Sequence, residues 1–597
     1  MFNFRRKKIR NCKVLVGSFF WAMDELKREA SNKEKNDIIW ISQKKLKYFD
    51  VIPPDKIQNY LGRECSLLIF DAHEDFMLDS FAAALGTLKG GGELILLTPI
   101  WEKWENNNKT AERLTPFPMN KADVGVRFFK RFVDIFNESK YVSIIREDKK
   151  NQHLKLTKYQ TENKKFFLTL EQKKIIDEII SINNGNERKP LVITANRGRG
   201  KTTALAFSIL EIIKNKRKNI ILLAPFRKNI ETFFQIIKRE LKECSFNKNY
   251  LSYRGSKIFF FTPERYLTEN PLCDLLIIDE AAAIPIPILK DLIKSKDKTI
   301  LSTTVHGYEG SGLGFVNYFT EYLTKFFPKW KRINLKNPIR WHKNDPLENL
   351  LNKVFLFESE IFIPKFNYKI EYKYISQDEL IGNRSLLKNV FNLLLSAHYQ
   401  TRPSDLYQLL DAPNLHIIVA KNKSTVVGVA LFVEEGGFDS KLANLVCEGK
   451  RRPKGHMFLQ SLAFHSGLCK APTLKLLRVM RIAVYESWRH KGIGTKLLDE
   501  ATTWCNDNYY DLLGAAFGFD SRILNFWKIS NFRALRLGYK KDAASGRYSI
   551  LMAKGISQEG KIFIEKSERE FYKNTLERKS EHNNQLIMEL KSQLIKT

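Results

Sequence analysis

A run of small and basic residues between a strand and a helix carries the clearest chemistry in this sequence. The apolar stretch 191–194 leads into Ala195-Asn-Arg-Gly-Arg-Gly-Lys-Thr202, and helix-forming residues follow. Glycines let backbone N–H groups approach a phosphate, and a helix N-terminus favours its negative charge. The lysine adds a positive charge and the threonine hydroxyl suits Mg²⁺. The pattern predicts a phosphate-binding loop, with Ala195 where such loops usually begin with glycine.

An acidic pair ends a second apolar strand, Leu275-Leu-Ile-Ile-Asp-Glu280. In nucleotide-hydrolysing sites an aspartate at this place holds Mg²⁺ through water, and a glutamate polarises the attacking water. The spacing after Lys201 predicts a parallel neighbour of the phosphate-loop strand. We therefore expect metal contacts from Thr202 and Asp279, and a catalytic role for Glu280.

Upstream of the loop, Thr169-Leu-Glu-Gln172 has the pattern of a helix capping box. It also resembles the glutamine motif of helicases, which implies that Gln172 recognises adenine. The stretches 221–225 and 301–304 resemble further helicase segments, which couple the nucleotide to a bound strand. Together these features resemble the core of RecD-like helicases.

A second strand, loop and helix succession lies near the C-terminus. The apolar stretch 477–485 is followed by Arg489-x-x-Gly492-x-Gly494 and a helix start. Glycines at such a turn permit capture of a pyrophosphate by backbone N–H groups, although a small surface turn has the same local pattern. The unit resembles GNAT acetyltransferases. That resemblance implies a strand bulge whose amides, at Ile482, Ala483 and Val484, bind the thioester carbonyl of acetyl-CoA.

Four regions position these motifs, and together they predict a multidomain α/β protein. Residues 1–165 read as an N-terminal α/β domain, with apolar strands on either side of a helix at 79–85 and a polar stretch at its end. Residues 166–368 alternate strands and helices, as a parallel-sheet NTPase or helicase core does. Residues 369–555 form a smaller α/β domain of the GNAT type. A helical tail occupies 556–597.

Composition limits the class of protein. The chain has 597 residues, 43% of them hydrophobic, and no apolar run as long as a membrane span. The basic and apolar N-terminus fits a first strand and turn better than a secretory signal. Lys and Arg number 99 against 66 acidic residues, so we expect a nucleic-acid partner. The alternative is that the excess of lysine reflects a genome-wide bias in amino-acid usage. Seven scattered cysteines predict reduced thiols in the cytoplasm.

The order of motifs along the chain resembles one family. The two loops occur together with Asp279-Glu-Ala-Ala-Ala-Ile-Pro285, Thr304-Val-His-Gly-Tyr-Glu-Gly310 and Pro338-Ile-Arg-Trp341. That combination resembles the TmcA family of bacterial tRNA(Met) cytidine acetyltransferases, and the resemblance extends over nearly the whole sequence. It implies acetyl transfer from acetyl-CoA to N4 of the wobble cytidine in elongator methionine tRNA, with hydrolysis of ATP or GTP and a need for Mg²⁺. It implies no membrane and no obligatory protein partner.

The resemblance also implies which residues form the sites. Nucleotide contacts are implied for Gln172, Thr194, Ala195, Asn196, Arg197, Gly198, Arg199, Gly200, Lys201, Thr202, Thr203, Asp279 and Arg340. Acetyl-CoA contacts are implied for Ile482, Ala483, Val484, Arg489, His490, Lys491, Gly492, Ile493, Gly494, Thr495 and Arg522, the last standing where relatives can carry an acid. RNA phosphates are expected at Arg451, Arg452 and Lys454, and the helical tail, 556–597, is a candidate contact for tRNA.

The catalytic groups expected for acetyl transfer are the Val484 amide, as oxyanion donor, and a base that removes the N4 proton. His398 is the first candidate for that base, and His456 and His465 are weaker candidates. Two other functions compete with this interpretation. One is a helicase with a non-catalytic acetyl-CoA module, and the other is an NTP-regulated protein acetyltransferase.

Overall fold

A computed structural model describes residues 9–577, apart from 31–36, 47–49, 105–108, 150–153, 155–167, 242, 248–249, 308–309, 312, 358–368, 398–401 and 543–545. The described residues form two compact units. The first comprises those within Met1–Arg113, Val126–Ser359 and His398–Gln408, and the second those within Leu114–Gly125, Glu360–Ala397 and Leu409–Thr597. The predicted four-domain boundaries stay a prediction.

The N-terminal part of the first unit is built on a six-stranded, all-parallel sheet. Its elements are β1 (Asn11–Val16), α1 (Phe19–Ala30), β2 (Ile38–Ile41), β3 (Val51–Ile52), β4 (Cys65–Asp71), α2 (Leu78–Leu85), β5 (Leu88–Thr98), α3 (Trp101–Trp104), α4 (Lys109–Leu114), α5 (Arg127–Asn137) and β6 (Val142–Arg146). The strand order is β3-β2-β4-β5-β1-β6. The predicted strand, helix and strand around residues 79–85 are confirmed. The N-terminal apolar segment begins with a strand as expected, and the helix α1 follows the turn after it.

The middle of the chain forms an eight-stranded sheet in the same unit. Its elements are α6 (Leu170–Asn184), β7 (Leu191–Ala195), α7 (Lys201–Asn215), β8 (Asn219–Leu223), α8 (Glu231–Glu240), β9 (Ser245–Phe246), β10 (Tyr250–Tyr253), β11 (Ser256–Phe261), α9 (Pro263–Glu269), β12 (Leu275–Ile278), α10 (Ile286–Ser295), β13 (Thr299–Thr304), β14 (His306–Gly307), β15 (Gly310–Ser311), α11 (Leu313–Phe326), β16 (Lys331–Leu335) and α12 (Pro346–Phe355). The order is β16-β7-β13-β12-β8-β11-β10-β9, while β14 and β15 form a separate hairpin.

Six of these strands, from β16 to β11, run parallel, which confirms the predicted parallel core. Helices cover both faces, because the strands alternate their side chains between two apolar layers: Ile193 packs in one and Val192 in the other. The acidic-pair strand β12 is not a direct neighbour of the phosphate-loop strand β7. The sequence prediction was wrong on this point, because β13 pairs with both strands and lies between them.

The second unit is built on a seven-stranded mixed sheet. Its elements are β17 (Ile370–Ile375), α13 (Gln377–Gly382), α14 (Arg384–Ala397), α15 (Pro403–Asp411, which begins in the first unit), β18 (Leu415–Asn422), β19 (Thr425–Gly436), α16 (Ser440–Cys447), α17 (Met457–Ser466), β20 (Lys475–Val484), α18 (Ile493–Asp507), β21 (Leu512–Gly518), α19 (Ser521–Ile529), β22 (Arg533–Lys541), β23 (Tyr548–Gly555) and α20 (Gln558–Glu577). The order is β17-β18-β19-β20-β21-β23-β22; among the strands that the structure describes here, the β20–β21 pair is parallel and the other neighbouring pairs are antiparallel. The helical tail is confirmed over α20, and residues 578–597 lie outside the described part.

The prediction that all seven cysteines are free thiols was wrong. Cys447, at the end of α16, and Cys469, just after α17, are joined as a disulfide with their Cα atoms 5.1 Å apart. The two residues are 22 positions apart, so no local sequence pattern marks the pair. The other five cysteines are free. No helix among the described residues has the length and apolar character that crossing a bilayer requires.

Candidate functional site

The first candidate site lies where β7 turns into α7. Gly198 has a φ of 76° and Gly200 a φ of 79°, a left-handed conformation that favours glycine. Close packing requires glycine as well, because a β-carbon at Gly198 would lie 2.7 Å from the Trp341 ring. One at Gly200 would lie 2.5 Å from the Gln172 amide nitrogen. The loop therefore presents backbone at the N-terminus of a 15-residue helix, which is the geometry that binds phosphate.

A hydroxyl group connects the lysine of this loop to the acidic pair. Lys201 Nζ donates to Thr304 Oγ1 at 2.8 Å, and that hydroxyl lies 3.2 and 3.3 Å from the carboxylate oxygens of Glu280. Thr304 ends β13, the strand between β7 and β12. Thr304 belongs to a helicase-like segment of the sequence, but no motif predicted a part for it in the site.

Thr202 and Asp279 meet at the same edge of the sheet. The Thr202 hydroxyl donates to Asp279 Oδ2 at 3.2 Å. Burial raises the pKa of Asp279 to about 6, the Glu280 charge adds to the rise, and Lys201 opposes it. A hydroxyl and a carboxylate are the hard oxygen donors that Mg²⁺ prefers, so these two residues fit the expected metal.

Gln172 is buried, and both the oxygen and the nitrogen of its side-chain amide form hydrogen bonds. Its Oε1 accepts from the Thr169 backbone N–H at 3.0 Å, and its backbone N–H donates to the Thr169 hydroxyl, which confirms the capping box. Its Nε2 donates to the Gly200 carbonyl at 3.1 Å. The side chain thus ties the start of α6 to the phosphate loop.

Arg340 lies beside the N-terminal sheet. Its guanidinium donates to the Gly86 carbonyl at 2.9 Å and lies 3.5 Å from the Glu64 carboxylate, while burial lowers its pKa. The preceding residue, Ile339, donates its N–H to the Gly198 carbonyl at 2.9 Å. The segment that carries Arg340 therefore packs directly on the phosphate loop.

The remaining residues of the loop have varied surroundings. Thr194 Oγ1 lies 3.2 Å from the side chains of both Asn334 and Arg332, and Thr203 is buried at the start of α7. Arg199 pairs with Glu348 at 2.7 Å. Glu348 lies in α12 and could not be predicted from the sequence, because no local motif marks it. Ala195, Asn196 and Arg197 complete the loop, with Ala195 fully buried.

The second candidate site lies in the other unit, where two parallel strands separate. β20 and β21 pair only from Leu476 with Leu512 to Val479 with Ala515. Beyond that point β20 follows β19 as far as Val484, whereas β21 follows β23. The strands therefore diverge, and beyond Val479 β21 no longer pairs with β20 on that side. The Arg489 side chain donates to the Val484 carbonyl at 3.3 Å.

The register shows where the strand bulges. Leu431 pairs with Arg481 and Phe432 with Val479, so Met480 is the extra residue. The resemblance implied a bulge at residues 482–484. That position was wrong, because Ile482, Ala483 and Val484 pair regularly with residues 428–430 of β19.

The Val484 amide faces the gap between the diverging strands. The next residue, Tyr485, donates its N–H to the Val427 carbonyl at 3.1 Å, on the β19 side. Successive N–H groups of a strand point to opposite sides, so the Val484 N–H points away from β19. An amide in this position can donate to an oxygen held between β20 and β21.

The loop after β20 leads into α18. His490 and Gly492 have φ values of 60° and 75°, and Gly492 caps the helix N-terminus. A β-carbon on Gly494 would lie 3.1 Å from the Phe526 ring, a tight contact that would need a small shift of that ring. Arg489, His490 and Lys491 are exposed, Ile493 is buried, and Thr495 is half-buried in the first turn. Exposed backbone and basic side chains at a helix N-terminus suit a pyrophosphate.

Arg522 lies in the first turn of α19, with its side chain largely exposed. Asp520 caps this helix by accepting from the Arg522 backbone N–H at 3.0 Å. The Arg547 guanidinium donates to the same carboxylate at 2.8 Å, and these cations hold the pKa of Asp520 below its usual value. Asp520, which no sequence motif predicted as a site residue, organises this turn.

The histidine candidates differ in their surroundings. His398 lies outside the described residues. His456 is buried: its Nδ1 accepts from the Gly436 N–H at 2.8 Å, its Nε2 donates to the Phe117 carbonyl at 2.6 Å, and burial lowers its pKa. With both ring nitrogens bonded to backbone, His456 is a structural residue. The pKa of His465 is lowered by burial and by the charges of Arg536 and Arg452.

The basic residues expected to contact RNA lie in one loop. Arg451, Arg452 and Lys454 are exposed between α16 and α17. The loop is held at its base, where the Arg451 N–H donates to the Leu445 carbonyl and the Lys454 carbonyl accepts from the Phe117 N–H at 2.9 Å. This arrangement leaves three cationic side chains on the surface of the second unit.

Family models match in the order of these elements. Residues 2–147 match the N-terminal domain of tRNA(Met) cytidine acetyltransferase TmcA, residues 192–358 the helicase domain of RNA cytidine acetyltransferase NAT10/TcmA, and residues 389–512 the GNAT acetyltransferase 2 model. Among solved structures, a GNAT-family acetyltransferase from Desulfovibrio desulfuricans is 15% identical, with a TM-score of 0.23, over 32% of this chain and 100% of its own.

Two relatives extend the match over more than nine tenths of the chain. The tRNA(Met) cytidine acetyltransferase TmcA of Nitrosococcus halophilus is 31% identical over 577 residues, which cover 94% of this chain and 77% of the relative. That of Vibrio cholerae is 32% identical over 545 residues, covering 91% and 73%. A chain that carries both a helicase-type domain and a GNAT domain belongs to the class of acetyltransferases that contain a helicase domain. More narrowly, the chain belongs to the TmcA family of tRNA(Met) cytidine acetyltransferases.

Proposed function

We propose that the chain transfers the acetyl group of acetyl-CoA to N4 of the wobble cytidine in elongator tRNA(Met), coupled to ATP or GTP hydrolysis. The observation that carries this proposal is two glycine-capped helix starts, at Gly200 and Gly492, on a chain that matches a TmcA relative along 94% of its length. In the reaction N4 attacks the thioester carbon, the C–S bond breaks, and the N4 proton leaves. The products are N4-acetylcytidine and coenzyme A as its thiol.

In the nucleotide half, Lys201 supplies charge to the phosphates, and the loop from Thr194 to Thr203 surrounds them. Thr202 and Asp279 would hold Mg²⁺, which neutralises charge on the phosphate oxygens when bound. Glu280 orients the attacking water, and Thr304 fixes the direction of its carboxylate relative to Lys201. Gln172 and Arg340 complete the proposed nucleotide contacts.

In the acetyl half, the edge of β20 receives the thioester and the turn from Arg489 to Thr495 receives the pyrophosphate. The Val484 N–H donates to the carbonyl oxygen as negative charge develops there. N4 of cytosine is a weak nucleophile because its lone pair is delocalised into the ring, so close positioning carries much of the acceleration. His398 is the proposed base for the N4 proton.

For this reaction the wobble cytidine must leave its base stack and reach the edge of β20. Enzymes that modify a base take it out of its stack, and a nucleotide-driven helicase module supplies a means of remodelling the anticodon loop. Arg451, Arg452 and Lys454 would hold phosphates on the second unit. We place this reaction in the cytoplasm, where tRNA and acetyl-CoA are both present.

The test is an incubation with acetyl-labelled acetyl-CoA, Mg²⁺ and tRNA from cells that lack this gene, with and without ATP. The tRNA is then digested to nucleosides, and the protein fraction is counted separately. Label in N4-acetylcytidine that rises with ATP supports the proposal. Lys201→Ala should remove the ATP-dependent part, and Lys216→Ala, an exposed lysine beyond α7, is the matched control.

Two outcomes would replace the proposal with a rival. Label in protein but not in tRNA would indicate an NTP-regulated protein acetyltransferase. ATP hydrolysis stimulated by RNA, with no label transferred to any acceptor, would indicate a helicase whose second unit only binds acetyl-CoA.

A further inference from the structure

A buried arginine just before the N-terminal sheet contacts the covering segment, residues 339–345, which packs on the phosphate loop. Arg10 immediately precedes β1, and its Nε and Nη2 donate to Asp345 Oδ2 at 3.0 and 2.8 Å. Its backbone N–H donates to the other carboxylate oxygen at 2.8 Å, and its Nη1 donates to the Leu85 carbonyl. Both side chains of the ion pair are fully buried. The guanidinium carbon also lies 3.8 Å from the centre of the Trp341 ring.

Trp341 and Asp345, which both contact Arg10, also connect it to the phosphate loop. The Trp341 ring lies against Gly198, and its Nε1 donates to Glu348 at 2.8 Å. Glu348 in turn accepts from Arg199 at 2.7 Å. Asp345 caps α12 by accepting from the Glu348 N–H at 2.9 Å. A continuous buried network therefore runs from Arg10 to two residues of the phosphate loop.

A second contact joins the same two parts of the first unit. The turn between α2 and β5 places Gly86 against two arginines. Its carbonyl accepts from Arg340, and a β-carbon on Gly86 would lie 2.4 Å from Arg197 Nε. The N-terminal sheet thus touches the phosphate loop and its covering segment from one side.

We propose that Arg10 is a positioning residue for the phosphate loop, acting through Trp341 and Asp345, so that the N-terminal sheet is part of the nucleotide-hydrolysing machinery. The inference rests on the proposed hydrolysis of ATP or GTP. Removing one partner of a buried ion pair leaves the other charge uncompensated, so the segment around Trp341 must shift. A shift of that segment moves Gly198 and Arg199, and small displacements of a catalytic loop reduce the rate steeply.

The experiment compares Arg10→Met with Lys13→Met in the full-length protein. Lys13 lies three residues further on and pairs with Glu93 at 2.5 Å, partly buried, inside the same sheet. It does not belong to the network, so it reports the cost of breaking an ion pair in the N-terminal sheet alone. The readouts are kcat and KM for ATP hydrolysis, acetyl-CoA affinity and thermal unfolding. Trp341→Phe, which keeps a ring on Gly198, is compared with Trp341→Leu.

We expect Arg10→Met to lower kcat for ATP hydrolysis by about 100-fold, the scale of a misplaced catalytic loop, with acetyl-CoA affinity unchanged. Lys13→Met should stay within about threefold of the wild type, since it leaves the loop in place. Trp341→Phe should retain most of the rate that Trp341→Leu loses. In the double variant Arg10→Met, Arg199→Met, the losses should be less than multiplicative, because both changes break one network.

The inference is overturned if Arg10→Met hydrolyses ATP within twofold of the wild type, or if Lys13→Met loses as much. Multiplicative losses in the double variant also overturn it. A wild-type protein that hydrolyses neither ATP nor GTP would instead overturn the proposed function, and the inference with it.

Discussion

Lys201 and Glu280, which carry opposite charges at the edge of one sheet, are bridged by a single hydroxyl group. Thr304 accepts from the lysine at 2.8 Å and lies 3.2 Å from the nearer oxygen of the glutamate. The bridge sets the direction of the carboxylate that we propose to orient water. It depends on β13 lying between the two strands that the sequence motifs mark.

Replacing Thr304 by valine, which has the same shape without the hydroxyl, should lower kcat for ATP hydrolysis. Hydrogen bonds to charged groups contribute about 1.5–3 kcal/mol, which corresponds to roughly 10- to 100-fold in rate. Thr304→Ser should keep most of the activity. Thr299→Val, at the other end of β13, removes a buried hydroxyl that bonds to the Lys296 carbonyl and controls for stability. Equal rates for the valine and serine variants at position 304 would contradict the role of the bridge.

Asp279 should make the nucleotide-free protein less stable as the pH rises. Its pKa is raised to about 6 from an ordinary 3.8, so the folded state holds a proton that the unfolded state has released between those values. The stability this proton provides is present at low pH and is lost as the pH rises through about 6. Asp279→Asn should therefore melt above the wild type at pH 7.5 and together with it near pH 4. Thermal unfolding of both proteins across this pH range tests the prediction. A difference in melting temperature that does not change with pH would contradict it.

Gly492→Asp should weaken acetyl-CoA binding. The position faces open space and has a φ of 75°, which asparagine and aspartate tolerate better than other side chains. A carboxylate at the N-terminus of α18 would repel a pyrophosphate, and we expect KM for acetyl-CoA to rise at least about tenfold. Gly492→Asn has the same shape without the charge and is the control. Equal KM values for the two variants would place the pyrophosphate elsewhere.

His456→Ala should destabilise the second unit without changing the pH profile of acetyl transfer. It leaves the Gly436 N–H and the Phe117 carbonyl without a partner, at a cost of about 1–3 kcal/mol each. Because burial lowers the pKa of this histidine, the wild type loses stability as the pH falls below about 6.5, where the unfolded chain takes up the proton. The melting difference between variant and wild type should therefore narrow from pH 8 to pH 5.5. A pH profile of acetyl transfer that shifts in the variant would indicate a catalytic histidine instead.

Both glycine-containing loops could be predicted from the sequence because their geometry is local. A strand, a glycine turn and a helix N-terminus are contiguous in the chain, so spacing alone predicted the loops before α7 and α18. The capping box at Thr169 was equally accessible, since both partners lie within one turn. The bulge in β20 was misplaced, because a bulge is defined by the register of a partner strand and the sequence of β20 does not contain that register.

The sequence by itself determined the elements, the two loops and the acidic pair of this protein. The tertiary structure decided which strand lies between β7 and β12, and so brought Thr304 to Lys201 and Glu280. It also decided that Arg10 meets Asp345, a residue 335 positions away. The physical reason is range: turns and caps arise from the conformational preferences of neighbouring residues. Strand order and buried ion pairs arise from burying distant apolar surfaces together, and no short pattern encodes them.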